Sequence, residues 1–177
     1  MVKHIHLLET LIKSGYQPLA IKSNGKGPVH KAWTTRKISL EEIISGSKDR
    51  FGLRMGDHGL NCIDIDSKNH PHPEKMREHF YEMLKQVGFD ESEVIIQSTP
   101  STGGHIIYRA GSPRKSEVLS RTKGRETLIE VRGLKTQVLM YELDQFHRIP
   151  TLKEISQEQE VLLYQMARSF DEFSTGT

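Results

Sequence analysis

Apolar positions recur along the chain at two different spacings, and segments of the two kinds alternate. "HIHLLETLIKSG" (residues 4–15) carries apolar residues at helical intervals and stops at Gly15. "YQPLAI" (16–21) predicts a short strand, and "KSNGKGPVHKAW" (22–33) a loop punctuated by glycines and Pro28. "SLEEIISG" (39–46) predicts a short helix, capped by Ser39 and acidic in its first turn. "FGLRMG" (51–56) and "LNCIDID" (60–66) predict consecutive strands joined by a hairpin-like "DHG" turn. "PEKMREHFYEMLKQVG" (73–88) is the plainest helix, opened by proline and closed by glycine. "EVIIQSTP" (93–100) and "GHIIYRA" (104–110) predict two strands across a Gly-rich turn. "TLIEVRG" (127–133) and "TQVLMYEL" (136–143) predict another antiparallel pair. "TLKEISQEQEVLLYQMARSF" (151–170) reads as a closing helix, with the last few residues expected to fray. Interleaved helices and antiparallel strands indicate an α+β sandwich rather than a doubly wound parallel sheet. The sequence holds no Gly-rich dinucleotide or P-loop pattern and no internal repeat.

Composition narrows the class. A length of 177 residues, 35% hydrophobic and 27% charged, suits one domain of ordinary size, with or without a helical extension. No apolar run approaches the ~18 residues of a membrane span, and the N-terminal stretch lacks the uninterrupted apolar core of a signal peptide. Cys62 is the sole cysteine, which excludes an internal disulfide and a four-cysteine zinc site and points to the cytoplasm. The net charge of +2 decides little. Its distribution says more: Arg109, Arg114, Lys115, Arg121, Lys123 and Arg125 face a single acid, Glu117, between positions 109 and 125. Such a segment is either a phosphate-facing patch or a solvated loop.

The chemistry concentrates at three places. In "NCIDIDSKN" (61–69), Asp64 and Asp66 stand two apart on a strand and so share a face, about 7 Å apart at ~3.3 Å rise per residue, with Ile63 and Ile65 on the other. Two parallel carboxylates repel, and a divalent cation between them relieves the repulsion; oxygen-only ligands favour Mg²⁺ or Mn²⁺. Alone, the pair is more readily an edge strand whose acids meet water. In "IEVRG", Glu130 sits between Ile129 and Val131 in the same setting, followed by Arg132. In "QSTPSTGGHIIYR", Gly103 and Gly104 allow close backbone approach to an anion, Ser101 and Thr102 add hydroxyls, and His105 opens the next strand. As a bland hairpin the last stretch needs only its glycines.

Taken together and in this order, "CIDID", "STGGH" and "LIEVRG" resemble the archaeo-eukaryotic primase superfamily, most closely the prim-pol domains of plasmid, phage and mobile-element replication proteins. That family has an acidic pair on a strand, a small-residue-x-His turn and a lone acid after apolar residues. Lys26, Pro28 and Trp33 match its opening segment, "FGLRMG" resembles the strand before its acids, and "RIPTLKEISQEQEVLLYQMAR" its helical close. One departure is Gly103, where many members carry serine two residues before the histidine. The resemblance implies a catalytic domain over residues 1–150 with an RRM-like half and mixed or antiparallel sheets, and a helical extension over 151–177 packed on it. It implies template-directed nucleotidyl transfer, with Asp64, Asp66 and Glu130 holding two Mg²⁺ or Mn²⁺ ions. His105 and the Ser101–Gly104 turn would bind the triphosphate of a dNTP or NTP, with Arg132 and Lys135 neutralising charge. The 109–125 segment would track a single-stranded DNA template and primer. A replicative helicase, encoded separately or within a longer protein, is the implied partner.

Other readings remain open on residues alone. Lys26 and Lys31 can reach phosphate, and Trp33 either stacks on a base or caps the core. His70 and His72 in "NHPHPE", with Tyr81 as nucleophile, sketch a rolling-circle endonuclease, although Pro71 and Pro73 favour a loop there. A non-catalytic single-strand-binding module would display aromatics on its sheet, and the chain is 7% aromatic. Cys62 reads as a small core filler.

Overall fold

The two spacings resolve, in a computed structural model describing residues 4–173, into four α-helices and eight strands. The chain end expected to fray, residues 174–177, lies outside the described residues. In chain order the elements are α1 (Ile5–Lys13), β1 (Pro18–Ala20), α2 (Leu40–Gly46), β2 (Phe51–Arg54), β3 (Leu60–Ile65), α3 (Pro73–Gln86), β4 (Val94–Ser98), β5 (Gly104–Arg109), β6 (Glu117–Arg121), β7 (Thr127–Arg132), β8 (Gln137–Leu139) and α4 (Gln157–Arg168). Ser39 and Ser156 open α2 and α4 with capping boxes, their hydroxyls accepting from the N–H of Glu42 and Gln159.

The strands form two antiparallel sheets, β1-β2-β8 and β4-β5-β3-β7-β6, giving the expected α+β fold. Two expected hairpins are absent. β2 and β3 follow each other in sequence but lie in different sheets, and so do β7 and β8. The turn signals between them mark crossovers from one sheet to the other. The crossovers run side by side: the Met55 N–H donates to the Thr136 carbonyl. Gly59, at φ +75°, lets the first crossover press on β5's end, where a Cβ would meet the Ala110 carbonyl at 2.0 Å. β6 was not expected, because its five residues lie inside the basic segment and carry a bulge rather than clean alternation. The closing helix begins at Gln157, not Thr151. Residues Leu143–Thr151 make 3₁₀ turns, and 152–155 run against the large sheet, the Ile155 N–H donating to the Arg109 carbonyl.

The large sheet is the middle layer, which explains why β3 reads as an almost continuous apolar run. Ile63, Ile65, Ile106, Ile129 and Val131 pack on Met76, Phe80 and Leu84 of α3 and Leu163 and Ala167 of α4. The opposite face, through Leu60, Cys62, Ile95 and Ile107, packs on α1 and the small sheet through Leu7, Leu11, Leu53 and Val138. That second contact covers only part of the face. Where it stops, a cleft opens between the sheets.

A buried polar knot ties α4 to the large sheet. Glu160, 4% exposed, accepts from the Tyr108 hydroxyl at 3.0 Å and from Arg114 Nη2 at 2.7 Å. Burial, reinforced by Tyr164 and Glu160, pushes the Tyr108 phenol well above its ordinary range. Glu160→Leu leaves the Tyr108 hydroxyl with only its 3.3 Å contact to the Tyr164 hydroxyl and frees the partly exposed Arg114, so it should cost about 2 kcal/mol. The check is a lowered urea midpoint at unchanged m-value.

Candidate active site

Across the cleft-facing side of the large sheet, register sets four polar residues in a row. Gln97 on β4 is paired with His105 on β5, His105 with Asp64 on β3, and Asp64 with Glu130 on β7. Directly opposite residues of antiparallel strands have Cβ atoms about 4.5–5.5 Å apart, so the row is a contiguous polar strip. Asp64 is two-sidedly partnered, its Oδ1 3.4 Å from His105 Nε2 and its Oδ2 3.8 Å from Arg132 Nη1. Asp66 lies just past the end of β3, held by its N–H on the Leu128 carbonyl, with its carboxylate 3.9 Å from Lys68 Nζ. The acids therefore look into the cleft beneath the small sheet instead of out to bulk water. That cleft, of about 250 Å³, is lined by Asp64, Asp66, His105 and Arg132, by Lys26 and Lys68, and on the small-sheet side by Gln137, Leu139 and Tyr141.

The three carboxylates feel one another. Burial, and after it repulsion from Asp64, holds the Glu130 carboxyl above its ordinary range, with Arg132 pulling the other way and Asp66 adding to the push. Burial raises Asp66 too, opposed by Lys68 and Lys26 and assisted by Asp64. An all-carboxylate donor set in mutual repulsion suits a hard, oxygen-seeking divalent cation. Among the described residues, no three His, Cys, Asp or Glu side chains are drawn together closely enough to hold a metal ion as they stand. The aspartates are turned onto His105, Arg132 and Lys68 instead.

The turn before His105 is tightly built. At Gly103 a Cβ would lie 2.1 Å from the Ile65 carbonyl and 3.1 Å from Thr99 Oγ1, so a serine does not fit there. The hydroxyls at the cleft belong to Ser101 and Thr99. Thr102, at φ 67°, lends its carbonyl to the buried Ser67 hydroxyl at 2.9 Å, which ties this turn to the one carrying Asp66.

The profile of the bifunctional DNA primase/polymerase N-terminal domain, Prim-Pol, matches residues 8–143. The chain belongs to the Prim-Pol family. No curated protein matches it closely enough to serve as a relative. Membership makes it a DNA primase/polymerase domain, with DNA and nucleotides as its substrate classes.

Not every expected residue of this Prim-Pol domain reaches the cleft: Glu130 shares the sheet face of Asp64 but is not among the residues lining it. Gly104 faces the other side of the sheet, where its missing side chain makes room for the Tyr81 hydroxyl. Lys135 is exposed in the turn between β7 and β8, outside the residues lining the cleft, and Lys31 is likewise exposed and apart. Arg109 donates to the carbonyls of His58 and Leu152, and Arg114 is held on Glu160. Arg121 is close enough to Glu130 to draw its carboxyl down, while Lys115, Lys123 and Arg125 are exposed. Trp33 packs against the core. Cys62 is wholly buried, and burial pushes its thiol up. Sequence reasoning missed Gln97, Gln137, Tyr141, Lys68 and Thr99. The lone amide in the apolar run of "VIIQS" was the available signal for Gln97, the same signal that singled out Glu130.

Because Asp66 and Glu130 titrate higher in the fold than in the unfolded chain, they favour the fold most at acid pH, and that support is lost as pH rises through their raised values. Glu130→Gln should therefore be more stable than wild type at pH 7 without divalent ions, the gap closing toward pH 4. Thermal melts across that range in chelator check this.

Proposed function

We propose that this Prim-Pol domain adds nucleotides to a 3′-hydroxyl under the direction of a single-stranded DNA template, as a primase, a polymerase or both, in replication of a plasmid, phage or mobile element. The observation that carries the reading is the register row of His105, Asp64 and Glu130 on one face of the large sheet, with His105 and Asp64 lining a cleft rimmed by Lys26, Lys68 and Arg132. The mobile-element setting rests on the ordered motifs alone.

In this reading Asp64, Asp66 and Glu130 hold Mg²⁺ or Mn²⁺, two ions in all. When bound, such ions acidify the attacking hydroxyl and neutralise the leaving pyrophosphate. His105 donates from Nε2 to the triphosphate, joined by the hydroxyls of Ser101 and Thr99. Arg132, Lys26 and Lys68 balance the charge of the incoming nucleotide, and the sheets on either side shut out water, which strengthens each of these contacts. Lys115, Arg121, Lys123 and Arg125 follow template and primer phosphates without reading sequence. Arg109 and Arg114 serve the scaffold.

The endonuclease reading is disfavoured by the placement of Tyr81. It lies on the helix side of the sheet, and burial pushes its phenol up to about 12, away from the ionised form a nucleophile needs. His70 meanwhile accepts the His72 N–H at Nδ1 within its loop. A passive binding platform is disfavoured because the large sheet's main aromatic, Tyr108, is fully buried.

The deciding assay offers a primed template and an unprimed single strand with labelled nucleotides and Mn²⁺ or Mg²⁺. Wild type should extend, and Asp64→Ala/Asp66→Ala should fall to background with its far-UV spectrum unchanged. Extension surviving that double change overturns the metal assignment, and cleavage in place of extension favours the nuclease. Replacing Lys115, Lys123 and Arg125 together by Ala should flatten the dependence of log K on log salt for single-stranded DNA by about 2.

A further inference from the structure

Gln97 is fully buried, yet it is a primary amide on the cleft-facing side of β4, immediately beside His105. Its orientation is forced by its surroundings. Oε1 accepts from the N–H of Tyr141 at 3.0 Å and of Glu142 at 3.1 Å, which only the oxygen end can do. The NH₂ end therefore points the other way, donating to the Leu139 carbonyl at 2.7 Å and standing 2.8 Å from His105 Nδ1. Both lone pairs and both hydrogens of the amide are engaged, so no flipped arrangement satisfies it.

An amide NH₂ can only donate. His105 Nδ1 must then accept, and the ring hydrogen must sit on Nε2, the atom that faces Asp64 Oδ1 at 3.4 Å. Tyr141 holds the ring plane from the small-sheet side, its ring centre 6.2 Å away at 29°. We propose that Gln97 is a positioning residue that locks His105 in the Nε2–H tautomer, so that the imidazole presents a donor, never a lone pair, to the anionic contents of the cleft. The proposal deepens the reading that His105 grips a nucleotide triphosphate, and it rests on that reading for its consequence, though not for the tautomer itself. With the other tautomer, a lone pair at Nε2 would oppose both the Asp64 carboxylate and a phosphate oxygen. Because Gln97 takes its bearings from the backbone at 139–142, it also sets His105 of the large sheet by reference to the chain leaving the small one.

Two measurements decide it. In protein labelled with ¹⁵N in its nine histidines, the His105 resonances, assigned by their loss in His105→Ala, should show a protonated Nε2 and an unprotonated Nδ1. Gln97→Met, close in volume but with neither donor nor acceptor of that kind, should release the ring to a mixture. In primer extension, Gln97→Met should raise KM for the nucleotide roughly tenfold, the loss of about one hydrogen bond to a charged partner. In the His105→Ala background the same change should add less than about twofold, because a residue acting through His105 has nothing left to act on. An Nδ1–H signal in wild type, an unchanged tautomer in Gln97→Met, or additive losses in the double variant each overturn the proposal. Should Gln97→Met fail to fold, the wild-type spectrum alone judges it. A chain with no extension activity but an Nε2–H His105 would retire the polymerase reading while leaving the lock in place.

Discussion

Asp64 facing Glu130 across two central strands of a half-covered sheet is the constraint around which the rest is arranged. Like charges set directly opposite in an antiparallel ladder are destabilising, and burial deepens the penalty by stripping water from both. The neighbourhood is composed to answer it: a histidine on one flank, an arginine two residue pairs along, and lysines at the rim. The small sheet stops partway across, and burial there holds the Glu130 carboxyl above its ordinary range.

Much of this was legible beforehand because period-two alternation reports faces directly. Asp64 and Glu130, each flanked by isoleucine or valine, had to emerge from an apolar strand on the side opposite its packed face, and they do. The strand and helix locations followed from the same periodicity, with Pro73 and the Ser39 cap marking starts, while the Ser156 cap that opens α4 was passed over. The pairings were less accessible. Gly56–Gly59 and Gly133–Thr136 have the composition of tight turns, and composition cannot distinguish a chain that doubles back from one that passes to another layer. That difference is decided by contacts far away in sequence, such as Met55 with Thr136.

The site shows the same division. Residues with conspicuous chemistry in a conspicuous place, the two aspartates, Glu130 and His105, could be picked out. Thr99 and Tyr141 could not, since a hydroxyl and a phenol are unremarkable until the fold sets them beside a histidine or a cleft, and Gln97 was signalled only by standing alone in an apolar run. The basic segment divides in a different way. Its charge is real, but Arg109 and Arg114 are anchored by carbonyls and by a glutamate that lies 46 residues on, and no local pattern announces a partner at such a distance.

The unbroken pairing of β4, β5, β3 and β7 carries an evolutionary corollary. Inserting or losing one residue within any of these strands would rotate its later side chains to the helix layer and scatter the row. Length changes that respect the chemistry are thereby confined to connections such as 122–126. Lineages descending from this scaffold can grow at its rims, while its middle four strands descend with their spacing intact.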